Sequence, residues 1–101
     1  MSIAPLDAFC SAVTVKQCLE VDYKGHSRVI EVHAVGYSQA NNLVALVWQV
    51  HGGSSGSETA GWKLLRISEV TAVRPMNASV EVPRPGYRGG GTQIPKIICQ
   101  L

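Results

Sequence analysis

Apolar residues recur first at Leu6, Phe9, Cys10 and Val13, the i, i+3, i+4, i+7 spacing of one helical face. Pro5 suits a first helical turn, where no amide hydrogen is needed, and Asp7 lies where the positive end of the helix dipole favours an acid. The pattern predicts a short helix over about residues 5–16. With Val13, Thr14 and Val15 β-branched, such a helix is marginal alone and must dock on something.

From Cys18 the period changes to two. Leu19, Val21 and Tyr23 alternate with Cys18, Glu20 and Asp22, which reads as a half-buried strand. Lys24-Gly25-His26 is a turn, and Arg28 to Val35 alternates again, so the two runs predict a hairpin. Asn41-Asn42 marks the next turn. The apolar run Leu43 to Val50 predicts a central strand covered on both faces. His51 to Gly61, rich in glycine and serine, reads as a loop, and strand character resumes over Trp62 to Ile67. Ile67, Val70 and Val73 suggest a turn of helix and then a strand ending at Pro75. Pro83 to Gly91 excludes regular structure, and Ile94, Ile97, Ile98 and Leu101 predict an apolar edge strand packed back on the core.

One helix followed by about five short strands predicts a mainly β domain, a small five-stranded barrel whose closure removes exposed edges. The expected division is helix 5–16, barrel 18–75, and a C-terminal loop with edge strand over 76–101. An open α+β sandwich is the alternative. The 101 residues, 46% hydrophobic and 16% charged, support one compact core and exclude a disordered chain, a coiled coil and a collagen-like repeat. They are also too few for a barrel of eight βα units, which needs about 250 residues.

No apolar run approaches membrane-span length, and the N-terminus lacks the basic lead of a secretory signal, so a cytoplasmic protein with no membrane association is expected. Cys10, Cys18 and Cys99 are an odd number without CxxC spacing, which predicts free, mostly buried thiols. Asn77-Ala78-Ser79 matches a glycosylation sequon that has no meaning without a secretory route. Charge is uneven: residues 1–62 carry a net −2 and residues 63–101 a net +4, which points weakly to an anionic partner.

Enzymatic signals are poor. Gly52-Gly53-Ser54-Ser55-Gly56 matches the G-x-S-x-G nucleophile elbow formally, but neither a following helix nor an α/β sheet accompanies it. Gly56 to Gly61 has P-loop glycine spacing, yet Trp62-Lys63 puts the lysine out of register. His26, His33, His51 and the cysteines show no metal-ligand pairing, so neither metal nor cofactor is expected. Asp7, Glu20, Asp22 and Glu31 read as solvated strand and helix positions. Arg84, Tyr87 and Arg88 are more suggestive: arginine pairs with phosphate or carboxylate through several donors, and tyrosine offers a stacking face for a base.

Arg28-Val29-Ile30-Glu31-Val32-His33, taken with Gly61-Trp62-Lys63-Leu64-Leu65-Arg66-Ile67, resembles the WYL-domain family of bacterial regulators. Members read R-x-[VI]-x-P on one strand and R-x-F-R-L-D-R-I on a later one. The chain is also similar to short stand-alone members, with a Pro-Arg-Pro-Gly-Tyr segment before the final strand. It departs from the pattern in reading Val44-Ala45-Leu46 in place of the family tripeptide, Val32 for proline and Leu65 for phenylalanine, with Glu69 near the second arginine. The resemblance implies an SH3- or Sm-like barrel and a non-enzymatic sensing or regulatory module that binds a small effector or nucleic acid. Relatives usually carry a helix-turn-helix domain, for which residues 1–17, with at most one helix, leave no room.

The expected ligand is therefore anionic, a nucleotide or single-stranded nucleic acid. Arg28 and Arg66 would supply charge, His33 and Trp62 would shape the pocket, and Arg84, Tyr87 and Arg88 would extend the surface. Trp62 and Arg66 share one strand face by parity. The alternative is a structural or protein-interaction module, a homo-oligomer or accessory subunit, that uses the apolar C-terminal strand.

Overall fold

A computed structural model describes residues 5–52, 61–76, 82–87 and 93–101. Helix α1 (Pro5–Val15) is followed by β1 (Cys18–Tyr23), β2 (His26–Tyr37), β3 (Leu43–Gly52) and β4 (Gly61–Arg66). A 3₁₀ turn over Ile67–Glu69 leads to β5 (Val70–Met76), and β6 (Lys96–Gln100) comes last. All pairings are antiparallel. The strand order is β4-β3-β2-β1-β5, and β6 pairs with β2 off that path.

Local chemistry accounts for the turns. Lys24 (φ 50°) and Gly25 (φ 80°) both lie in the left-handed region between the paired residues Tyr23 and His26, the two-residue turn that matches strand twist. Helix α1 ends where Lys16 turns left-handed (φ 55°) and the Gln17 amide donates to the Ala12 carbonyl at 3.0 Å. Pro75 is tolerated because β5 is an end strand.

Strand β2 is long enough to serve two neighbours along one edge. Its first half pairs with β1, and Ala34 to Tyr37 pairs with β6. At Gly36 the crossing is so close that a Cβ would run into the Lys96 carbonyl and the Ile94 side chain, so only glycine fits.

The main core lies on one sheet face, where Phe9, Ala12 and Val13 of α1 meet Leu19, Val21, Ile30, Val32, Val35, Val47 and Leu65. A second, smaller cluster on the other face joins Ala34, Val44 and Ile94, with Leu46 and Tyr87 against it.

Four expectations need revision. The sheet is not closed into a barrel: β4 and β5 are its ends, and no pairing among the described residues joins them. The fold shown is β-rich α+β. Second, Arg28 to Val35 is not half-buried; every residue there is buried, because residues 82–87 lie over the face that alternation assigned to solvent. Glu31, read as solvated, is 1% exposed. Third, Cys10 and Cys99 form a disulfide joining α1 to β6, with Cα atoms 5.8 Å apart, and Cys18 alone stays outside a disulfide. Eighty-nine positions separate the two sulfurs in sequence, so no local spacing reveals the pair. Fourth, the C-terminal strand packs back only in part: it pairs with β2, Ile94 is buried and Leu101 lies against the core, but Ile97 and Ile98 are 38% and 45% exposed.

The loop carrying Ser54 and the sequon at Asn77 lie outside the described residues.

Candidate functional site

Two clusters, on different parts of the sheet, hold the residues singled out in the sequence. The first is aromatic. Register places Trp48 of β3 opposite Trp62 of β4 and opposite Glu31 of β2, so these side chains share a face with His33. Trp62 meets His33 edge-on at 4.7 Å and Trp48 edge-on at 5.4 Å between ring centroids. Tyr87, brought in by the 82–87 segment, lies 5.1 Å from His33 and 6.4 Å from Trp62, its ring within 25° of parallel to the indole.

Arg84 fastens that segment down. Its Nε and Nη2 donate to the two Glu31 carboxylate oxygens at 2.6 and 3.2 Å, and its guanidinium lies 5.3 Å over the Trp48 ring. Its backbone N–H donates to His33 Nε2 at 3.0 Å. Because Nε2 accepts, the proton of neutral His33 is on Nδ1, which donates to the Glu31 carbonyl at 3.0 Å. Burial, the leading cause, holds the His33 pKa below its ordinary value. The His33 carbonyl in turn accepts from the Tyr87 hydroxyl at 3.1 Å and from the Leu101 amide at 2.9 Å. Burial also raises the Tyr87 phenol, and it raises the Cys18 thiol with help from the Glu31 charge.

Beside these rings a cleft of about 280 Å³ opens between Trp62, Lys63 and Leu64 on one side and Gly86 and Tyr87 on the other. Gly86 has φ 92°, which favours glycine, and lets the segment turn above the indole edge.

The second cluster surrounds Tyr23. Arg28 is 5% exposed, with its guanidinium 4.9 Å from the Tyr23 ring centroid and its Nη1 donating to Gln49 Oε1 at 3.3 Å. The Tyr23 hydroxyl accepts from the Arg66 amide at 3.1 Å and donates to Glu69 Oε2 at 3.2 Å. A separate cleft of about 560 Å³, lined in part by Tyr23, Lys24 and Arg66, opens there.

His33, Trp62, Arg84 and Tyr87 are thus brought together, whereas buried Arg28 reaches the Tyr23 ring with its guanidinium and exposed Arg66 reaches the Tyr23 hydroxyl with its backbone amide. Arg88 lies outside the described residues. Trp62 and Arg66 do share a face, but Leu64 stands between them and borders both clefts. Sequence reading missed Glu31 as the partner of Arg84, Trp48 as its platform, and Tyr23 as a hub. The signal for Glu31 was its parity with His33, two positions away on one strand. No cluster of three or more metal-ligating side chains occurs among the described residues, and none of their helices is long and apolar enough to cross a membrane. No protein-family model, no curated protein and no solved structure matches this chain.

Proposed function

We propose that the protein is a non-enzymatic binding module whose Trp62–Tyr87 cleft takes the planar ring of an anionic ligand, a nucleotide or a single-stranded nucleic acid. The observation that carries this reading is two nearly parallel rings bordering one open cleft, with Lys63 in its wall. Stacking on such rings contributes about 1–3 kcal/mol per base and tolerates any base. His33 braces the rings: both of its ring nitrogens are engaged with backbone groups, which favours a structural over an acid–base role.

The strand order β4-β3-β2-β1-β5, with a 3₁₀ turn between β4 and β5, supports kinship with small five-stranded SH3- or Sm-like barrels. The WYL-like reading is kept within this proposal on the motif resemblance alone. The Cys10–Cys99 bond favours an oxidising compartment over the cytoplasm expected from the lack of an apolar span and of a signal-like lead.

Tryptophan fluorescence titrated with a mononucleotide and a short oligonucleotide at two salt concentrations tests the proposal. Saturable quenching is expected, weakened about tenfold or more by Trp62→Ala and made less salt-dependent by Lys63→Ala. Absence of quenching at low salt, or full affinity in a folded Trp62→Ala protein, rejects it.

A second reading, a self-associating module, draws on the exposed Ile97 and Ile98 of β6. Light scattering over a dilution series tests it, and a strict monomer rejects it.

A further inference from the structure

Around Tyr23 positive charge outnumbers negative. Lys24 Nζ lies 5.5 Å from the Tyr23 ring centroid, the Arg28 guanidinium 4.9 Å from it, and the Arg66 backbone holds the hydroxyl. The carboxylate among them is Glu69, which meets the Lys24 ammonium at the loose distance of 3.8 Å. Arg28 is the costly member. It is buried, no carboxylate among the described residues pairs with it, and its Nε has no hydrogen-bond partner. A buried guanidinium left so is normally selected against, since desolvation is expensive and nothing answers the charge.

The cleft beside it is furnished with donors. Arg66 is exposed, and its guanidinium makes no hydrogen bond or ion pair among the described residues. Ser38 and Asn42 close a tight turn at the rim, in which the Asn42 amide donates to Ser38 Oγ at 3.2 Å and the Ser38 amide to the Asn42 carbonyl at 2.9 Å. Ser38 Oγ therefore accepts within the turn and keeps its own hydrogen to donate, and the Asn42 carboxamide adds two more N–H groups.

We infer that this cleft binds a phosphate group, held by Arg66 and Lys24 with Ser38 and Asn42 as neutral donors. The inference is independent of the ring cleft. Arg28 does not line the cavity; it contributes its field through the low-dielectric core at the tyrosine ring. Glu69 opposes the anion and sets an upper limit on affinity. The phosphate comes either from a free phosphate or from the backbone of a nucleic acid strand.

Amide NMR titration at constant ionic strength tests this, with inorganic phosphate as one probe and an abasic oligodeoxynucleotide as the other. Saturable shifts are expected at Tyr23, Asn42 and Arg66, and the tighter probe identifies the source. Arg66→Ala and Lys24→Ala should each weaken binding about tenfold, as loss of a charged donor does. Glu69→Gln, which retains an acceptor for the Tyr23 hydroxyl, should tighten it severalfold. Trp62→Ala should leave it unchanged while weakening ring binding. No saturable shift with either probe beyond that of chloride, undiminished binding in Arg66→Ala, or loss of phosphate binding in Trp62→Ala overturns the inference.

Discussion

The ring cluster and the Tyr23 cluster place arginines in opposite circumstances. Arg84 has a carboxylate across two hydrogen bonds, an indole beneath it and a histidine nitrogen at its backbone, so its charge is consumed in fastening residues 82–87 to the sheet. Arg28 is more deeply buried and has a glutamine oxygen and a phenol ring instead. A satisfied arginine acts as a clasp. An arginine buried without an opposite charge costs stability, and the cost is intelligible if the residual field serves a ligand. The cluster richest in sequence-predicted site residues is therefore the electrostatically quieter one.

The largest expected effect tests how far the clasp depends on its surroundings. Reducing Cys10–Cys99 reopens a loop of 89 positions, which by chain entropy costs about 4.6 kcal/mol. Because Leu101, two residues beyond Cys99, bonds the His33 carbonyl, Trp62 fluorescence should change on reduction, while amide shifts at Tyr23 should hardly move. Urea unfolding with and without reductant measures the first, and NMR the second.

Next, Arg84→Ala leaves the Glu31 carboxylate buried without its guanidinium and should lower unfolding stability by about 3 kcal/mol. The other cluster should respond with the opposite sign. Arg28→Met combined with Gln49→Leu replaces both buried partners by apolar groups and should leave stability unchanged or raise it by about 1 kcal/mol, while weakening phosphate binding. A loss as large as that of Arg84→Ala would erase the contrast. Tyr23→Phe removes a hydroxyl that joins the Arg66 amide to Glu69 and should cost about 1 kcal/mol in the same assay.

The smallest effect is a pH dependence confined to the clasp. His33 binds a proton less readily folded than unfolded, so the unfolded chain gains protons first as pH falls. Its contribution is complete above the ordinary value of 6.5 and declines below it toward the lower folded pKa. Unfolding midpoints should fall over that range in the parent and stay flatter in His33→Gln.

Much of the fold was legible because it is written in short-range periodicity. The apolar stripe of α1, the two-residue turn at Lys24-Gly25, the β3 run and the turn at Ile67 each depend on residues a few positions apart. Barrel closure was not legible, since nothing in β4 or β5 specifies whether the ends meet. Nor was the second buried face of β2: alternation marks Glu31 and His33 as polar, and their burial depends on Arg84 and Tyr87 arriving from more than fifty positions away. The same distance hid the disulfide. In the candidate site, parity grouped Trp62 with Arg66 correctly, but an intervening Leu64 divides one strand face into two cavities, which no count of residues along a strand reveals.

The bond from Cys10 to Cys99 also determines how this molecule bears load. Tension applied between its two ends passes from the tenth residue directly across to the ninety-ninth, so the intervening strands are out of the force path. Pulled in an optical trap by handles outside residues 10 and 99, the oxidised protein should keep its sheet, which should yield only after a reductant has cut that shortcut.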